Sequence, residues 1–272
     1  STVMVSPYTG LQCGHSVLPW NKLAQCNVNA STGNVLSSAR LVAGAALTAD
    51  SATLRLVAQG QSANTAAASI QLTNSFTIGM WIKISSHVTA PLFSLSDGAK
   101  QYFSLRIDTP ASTMTITYQT AGGAGSSSDT TVTFPAVSLR TNQWQHIAVV
   151  MSYPNVFLHV DGATGLLPSA TATLSSLLQP LPSNALLHLG ADGLSSGISA
   201  TFLGELSGFF YAPHAVAAAS LACVSSCDEW LVPVANSASS STRTASRSSA
   251  GGTVEYVDST LVGIQTAIRS TG

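Results

Sequence analysis

The stretch Ser75-Phe76-Thr77-Ile78-Gly79-Met80-Trp81-Ile82-Lys83-Ile84-Ser85 decides the fold. Apolar side chains recur at every second position. Phe76, Ile78, Met80, Ile82 and Ile84 share one face, and Thr77, Gly79, Trp81 and Lys83 share the other. That period belongs to a strand, because successive side chains of pleated backbone point to opposite sides. One face is apolar and the other mixed, so the segment reads as a half-buried antiparallel strand. The same alternation recurs downstream. Phe103, Leu105 and Ile107 point inward from Tyr102 to Asp108, and Met114, Ile116 and Tyr118 share a face of Thr113 to Gln119.

Trp144 to Ser152 differs. Trp144, His146, Ala148 and Val150 make one face, and Ile147, Val149 and Met151 make the other. Both faces are apolar, which predicts a central strand covered on both sides. Tyr153-Pro154-Asn155 interrupts it, since proline has no N–H for a ladder. Val156 to Val160 is then the return strand, closed by a tight turn at Asp161-Gly162. Leu186 to Leu189 and Phe202 to Tyr211 add further strands. Many short strands with turn signals and no long helical period predict an all-β, antiparallel two-sheet sandwich. His214 to Ala222 is Ala-rich and reads as a short helix closing the domain.

Around this body, residues 1–37 read as a Cys-containing N-terminal extension hooked against the main domain, 38–235. Residues 236–253 are Ser, Thr, Ala and Gly with two arginines, a linker composition and an O-glycan candidate. In 254–272, Leu261, Ile264 and Ile268 stand at helical spacing behind Asp258, which predicts a short terminal helix or the start of a following segment. A helix that short is marginal without a partner.

The 272 residues are 45% apolar but only 8% charged, with a net charge of −1; ordinary domains are about 25% charged. No basic stripe is available to displace counterions, which excludes electrostatic nucleic-acid binding. The hydropathy also argues against a disordered chain. The most apolar window, 206–227, contains Pro213 and His214 and fails as a membrane span. Nor does a charged, then apolar, leader open the chain, so a secreted form reads as a processed chain or excised segment. Cys13, Cys26, Cys223 and Cys227 predict disulfides and hence a secretory or extracellular location. Local pairing, Cys13–Cys26 and Cys223–Cys227, is the first expectation, and pairing across the ends is the second. A zinc site from these cysteines and His15 lacks paired C-x2-C knuckles. Asn29-Ala30-Ser31 is a glycan acceptor sequon.

The residues from Leu72 to Lys83, then Trp144-Gln145-His146-Ile147-Ala148-Val149-Val150, then Val156-Phe157-Leu158-His159-Val160-Asp161-Gly162, follow a recognisable order. Leu187-His188-Leu189-Gly190 and Phe202 to Phe209 come after them, and Leu221 to Cys227 closes the run. This series resembles the laminin G-like, pentraxin-like branch of the concanavalin A-type jelly rolls, over residues 38–230. Its hallmark positions here are Trp81, Trp144, His146, Asp161 and Gly162. The resemblance implies an adhesion, matrix or receptor module that binds glycan or protein, often with calcium on one rim. Where the family commonly carries an Asp, before the Tyr102–Asp108 strand, this chain has Lys100 and Gln101. Asp97 and Asp192 remain as calcium candidates, but each precedes Gly, so turn chemistry is the preferred reading.

Other chemistry finds little support. Glycoside hydrolysis needs two carboxyl groups about 5–9.5 Å apart. No E-x-D-x-x-E cluster exists; Glu205 stands alone on its strand, and Asp228-Glu229 are adjacent beside a cysteine. Gly193-Leu194-Ser195-Ser196-Gly197 matches G-x-S-x-G without a strand-to-helix elbow. Gly122-Gly123-Ala124-Gly125 lacks a following Lys or helix. Trp144 and His146 are assigned to core packing rather than to a sugar platform, with His146 hydrogen-bonded inside; His159 and His188 are read in the same way. The sequence therefore predicts a noncatalytic recognition or adhesion module of a larger extracellular protein. The alternatives are a structural subunit of an extracellular filament, wall or appendage that packs with neighbouring subunits, and the accessory domain of a glycosidase or sialidase.

Overall fold

A computed structural model describes residues 23, 26–30, 38–47, 53–121, 129–161, 168–194 and 201–225, and the backbone of three short strands beyond them. The chain falls into two compact units, Leu11–Ser226 and Ser1–Gly10 with Cys227–Gly272.

In the larger unit one antiparallel sheet uses β1 (Arg40–Val42), β4 (Ser62–Ala66), β13 (Leu186–Leu189), β6 (Thr89–Ser96), β7 (Gln101–Asp108), β8 (Thr113–Gln119) and β9 (Asp129–Phe134), in that spatial order. The other uses β12 (Ala170–Thr173), β11 (Asn155–Val160), β10 (Trp144–Ser152), β5 (Ser75–Ile84), β14 (Gly204–Ala212), β3 (Thr53–Leu56) and β2 (Ala46–Leu47). Sequence neighbours β13 and β14 lie in different sheets, as a jelly-roll sandwich requires. The expected two-sheet sandwich is the fold observed.

The core lies between the sheets. From β5 it takes Phe76, Ile78, Met80, Ile82 and Ile84, the face the alternation selects, and from the opposite sheet Phe93, Leu95, Phe103, Leu105 and Ile107. Phe76 meets Phe103 edge-on at 5.8 Å between ring centroids, and Phe93 meets Phe209 in the same way at 5.8 Å. In β14 a bulge between Ser207 and Phe210 opposite β5 adds a residue at Gly208, whose φ is 58°. The extra residue lets Leu206, Phe209 and Tyr211 all enter the core while Phe210 points outward.

β8 alternates buried and part-exposed residues as expected, but β5 is not half-buried. Thr77, Gly79 and Trp81 on the outer face of β5 are buried too. A second apolar layer covers this face. Phe210 lies over Gly79, where an added Cβ would stand 2.3 Å from its ring. His146 stacks on Phe210 at 6.1 Å and meets Trp81 at 5.3 Å. Thr77 Oγ1 donates to His214 O and accepts from Val216 N, and Ser75 Oγ accepts from Ala215 N. These bonds lead into helix α1 (Ala218–Ser225), which buries Leu221 and Val224. The expected closing helix is therefore present, about three residues later than its pattern suggested.

Leu23, Cys26 and Val28 of the N-terminal extension are also buried, and Cys26 is bonded to Cys223 of α1, with Cα atoms 5.6 Å apart. This overturns the local pairing of Cys13 with Cys26 and of Cys223 with Cys227. The sandwich returns the last segment of the domain to where the first lies, so proximity in space rather than in sequence chose the partner. Cys13 and Cys227 lie outside the described residues, as do Gly162, Gly122–Gly125 and Ser195–Gly197.

In the smaller unit, β15 (Ser246–Arg247), β16 (Val254–Tyr256) and β17 (Ile268–Arg269) form an antiparallel sheet in that order. β16 and β17 flank the segment expected to be a short helix behind Asp258 or the start of a following segment; residues 257–267 lie outside the described residues, Ile268 is in strand, and a strand also falls in the segment read as linker. Val254, Val257, Thr260, Val262, Ile264, Thr266 and Ile268 are β-branched, which disfavours helix and suits pleated backbone.

Candidate functional site

The outer face of the first sheet is polar. Arg40, Asn64, His188, Ser94, Ser104, Thr117 and Thr131 are successive cross-strand partners and make one row across the whole sheet. The segment 190–194 lies over its middle. Ser94 Oγ donates to Ala191 O and Asp192 O, and Ser96 Oγ donates to Gly193 O. Gly193, with φ at 69°, crosses the His188 ring so closely that a Cβ there would stand 2.3 Å from it. The left-handed backbone and the contact both require glycine.

Beside this crossing is a cavity of about 350 Å³ lined by Ala99, Lys100, Gln101, Gln119, Asp129 and Leu194. Each side chain is delivered by a definite local device. The β6–β7 turn is built by Asp97, whose Oδ1 accepts from Ala99 N at 3.0 Å and Lys100 N at 2.8 Å. Its Oδ2 accepts from the Tyr102 hydroxyl at 3.0 Å. The Lys100 N–H, opposed by partial burial and helped by Ala99 N–H and Tyr102, lowers the Asp97 carboxyl from its ordinary value. Burial, and then Asp97, raises the Tyr102 phenol. In β7 a bulge passes over Tyr102, so that Leu95 pairs with Phe103 but Ser96 pairs with Gln101. The bulge turns Gln101 to the outer face beside Ser96.

Gln119 and Asp129 are direct partners across β8 and β9, and Gln119 Nε2 donates to the Asp129 carboxylate. A carboxylate only accepts, so the amide nitrogen must face it and the amide oxygen must face away. Gln119 Oε1 has no hydrogen-bond partner, and neither has Gln101 Nε2, although both are buried. The residues lining the cavity thus carry an unpartnered amide oxygen, an unpartnered amide nitrogen, a carboxylate, a lysine and two apolar side chains. Such a mixture orients a polar ligand.

The residues singled out from sequence have other places. Trp81 and Trp144 are buried in the second apolar layer, not on a platform. His146 is fully buried, but neither ring nitrogen has a partner, contrary to the hydrogen-bonded role expected of it. In the second layer its ring stacks on Phe210 and meets Trp81 edge-on. Burial, and then the neighbouring His159, drives its pKa down to about 3. Burial lowers His159 and His188 as well, with Asp192 opposing the shift at His188. Asp161, at φ 53°, accepts from His146 N through Oδ1 at 2.9 Å and pairs with Arg140. It pins the start of β10 to the end of β11.

Asp97 holds a turn, and Asp192 is buried with its carbonyl on Ser94. Among the described residues no three His, Cys, Asp or Glu side chains gather. Asn29 is exposed. Gln119 and Asp129 were not singled out from sequence. Only the departure at Lys100-Gln101 pointed to this rim.

A model of the concanavalin A-like lectin/glucanases superfamily matches residues 57–220, and the chain belongs to that superfamily. The laminin G-like and pentraxin-like resemblance is borne out at that level. The chain matches no curated protein in sequence. Among solved structures it is similar to the ligand binding domain of botulinum neurotoxin serotype D in complex with N-acetylneuraminic acid. There the identity is 13%, the TM-score 0.50, and the match covers 69% of this chain and 45% of the other. It is also similar to a heptameric SAP-like pentraxin from Limulus polyphemus, with 18% identity, a TM-score of 0.44 and coverages of 58% and 72%. The CBM40 of the Ruminococcus gnavus IT-sialidase, bound to α2,3-sialyllactose, shows 17% identity, a TM-score of 0.45 and coverages of 56% and 83%. The chain spans less than half the length of the toxin structure it matches.

Proposed function

We propose that the sandwich is a noncatalytic carbohydrate-recognition module of an extracellular protein, with the cavity on the first sheet as its site. The single observation that carries this reading is a polar cavity of about 350 Å³ lined by two glutamines that each hold a buried amide atom without a partner. That volume is at the small end of the roughly 300–1,000 Å³ typical of ligand sites and suits a sugar residue. Membership of a lectin and glucanase superfamily supports it.

The noncatalytic part rests on the carboxylates. Asp129 is the one carboxylate among the described residues lining the cavity. Glu205 lies on the other sheet between Arg55 at 3.2 Å and Lys83 at 3.7 Å. Neither arrangement supplies the pair that glycoside hydrolysis needs. The extracellular location is supported by the Cys26–Cys223 disulfide.

The test is a glycan array followed by calorimetry with the whole chain. Binding is expected, with no turnover of the bound glycan and at least a tenfold loss in Asp129→Ala. An array without a hit, or hydrolysis, would reject the reading. A second reading, packing as a structural unit among neighbouring subunits, is favoured by the low charge of 8%. Light scattering at high concentration separates the two, because a strict monomer argues against it.

A further inference from the structure

We infer that the cavity selects an N-acetylated amino sugar over the parent hexose. This rests on the reading of the cavity as a sugar site and names the group it recognises.

An acetamido group presents one carbonyl acceptor, one N–H donor and a methyl, held in a plane. The cavity presents their complements. Gln101 Nε2 is a donor without a partner, and Gln119 Oε1 is an acceptor without a partner. The orientation of Gln119 is not free, because the Asp129 carboxylate holds its amide nitrogen. Its oxygen is therefore fixed as the acceptor for an N–H. Gln101 is carried to the same face by the β7 bulge, one strand away. Ala99 and Leu194 line the same cavity and offer an apolar surface to the methyl. A hexose hydroxyl can satisfy one of the amides by rotating, but it brings no methyl and no rigid donor–acceptor pair. A deacetylated amine brings only donors, which Gln101 Nε2 cannot accept.

The experiment titrates the whole chain with N-acetylglucosamine, N-acetylgalactosamine, glucose, galactose and glucosamine, followed by ligand-observed NMR and calorimetry. The acetamido sugars are expected to bind at least tenfold more tightly than the others. Gln101→Leu and, independently, Leu194→Asn are expected to reduce that preference to near parity with the melting temperature unchanged. Equal binding of glucose and N-acetylglucosamine by the wild-type chain, or preference for glucosamine, overturns this inference and leaves carbohydrate recognition standing. So does a preference that survives both substitutions. Failure to bind any of these sugars and any array glycan overturns both.

Discussion

Acid should unfold this domain through His146, and the size of the effect follows from its surroundings. The imidazole is fully buried against Trp81 and Phe210, with neither nitrogen hydrogen-bonded. Its pKa falls from 6.5 to about 3 in the folded chain, chiefly through burial and then through His159. In the unfolded chain the ring takes up a proton as the pH drops below 6.5, while in the folded chain it resists until about 3. The depressed value therefore contributes stability that is complete above 6.5 and is lost progressively down to about 3. At 1.36 kcal/mol per pH unit, the loss is about 2 kcal/mol by pH 5 and about 5 kcal/mol below pH 3. His159 and His188 are lowered too and act in the same direction.

Urea unfolding, followed by tryptophan fluorescence at pH 7.5 and pH 5, measures the slope. His146→Phe keeps an aromatic ring in the stack and removes the titration. Its loss of stability between the two pH values should be smaller than that of the wild type by about 2 kcal/mol. Identical slopes for the two proteins would refute the assignment and place the acid sensitivity elsewhere.

Three further outcomes are expected. Trp144→Ala should cost ~3–5 kcal/mol, since the side chain is buried in the second apolar layer; near-wild-type thermal stability would expose it and revive a sugar-stacking role. Removing the Cys26–Cys223 bond by Cys223→Ser releases a sequence separation of 197 residues. The chain-entropy model then gives a loss of about 5 kcal/mol, read as a drop in the urea midpoint. Gly79→Ala drives a methyl into the Phe210 ring at 2.3 Å. Overpacking of this kind should cost ~1–3 kcal/mol in thermal unfolding, and a neutral result would show that Phe210 moves aside freely.

The sandwich was legible because β5, β7 and β8 carry their periods openly, and alternate residues such as Ile78 and Phe103 face one core. What covers the other side of a strand was not. Trp81 and Gly79 read as an outward face, but Phe210 lies over Gly79 and His146 packs against Trp81, and both are buried. The Cys26–Cys223 pairing was hidden for the same reason, because it depends on long-range topology. Behind Asp258 the spacing of Leu261, Ile264 and Ile268 suggested helix, while the strands at Val254–Tyr256 and Ile268–Arg269 accord with the β-branched content around them. The candidate site was the least legible part. Gln101 reaches the cavity because a bulge skips Tyr102, and Gln119 is oriented by a carboxylate on the next strand. Neither register nor cross-strand partner is written in the local sequence.

The link between Cys26 and Cys223 has a mechanical consequence. A pull on the flanks outside these two cysteines runs through a covalent bond and bypasses the ladders of the sandwich. The enclosed 197-residue separation, roughly 700 Å of extended contour at ~3.5 Å per residue, cannot pay out under tension while the bond is intact. The folded body then hangs from the line of force as an untensioned pendant, and its cavity keeps its shape while the flanks are stretched.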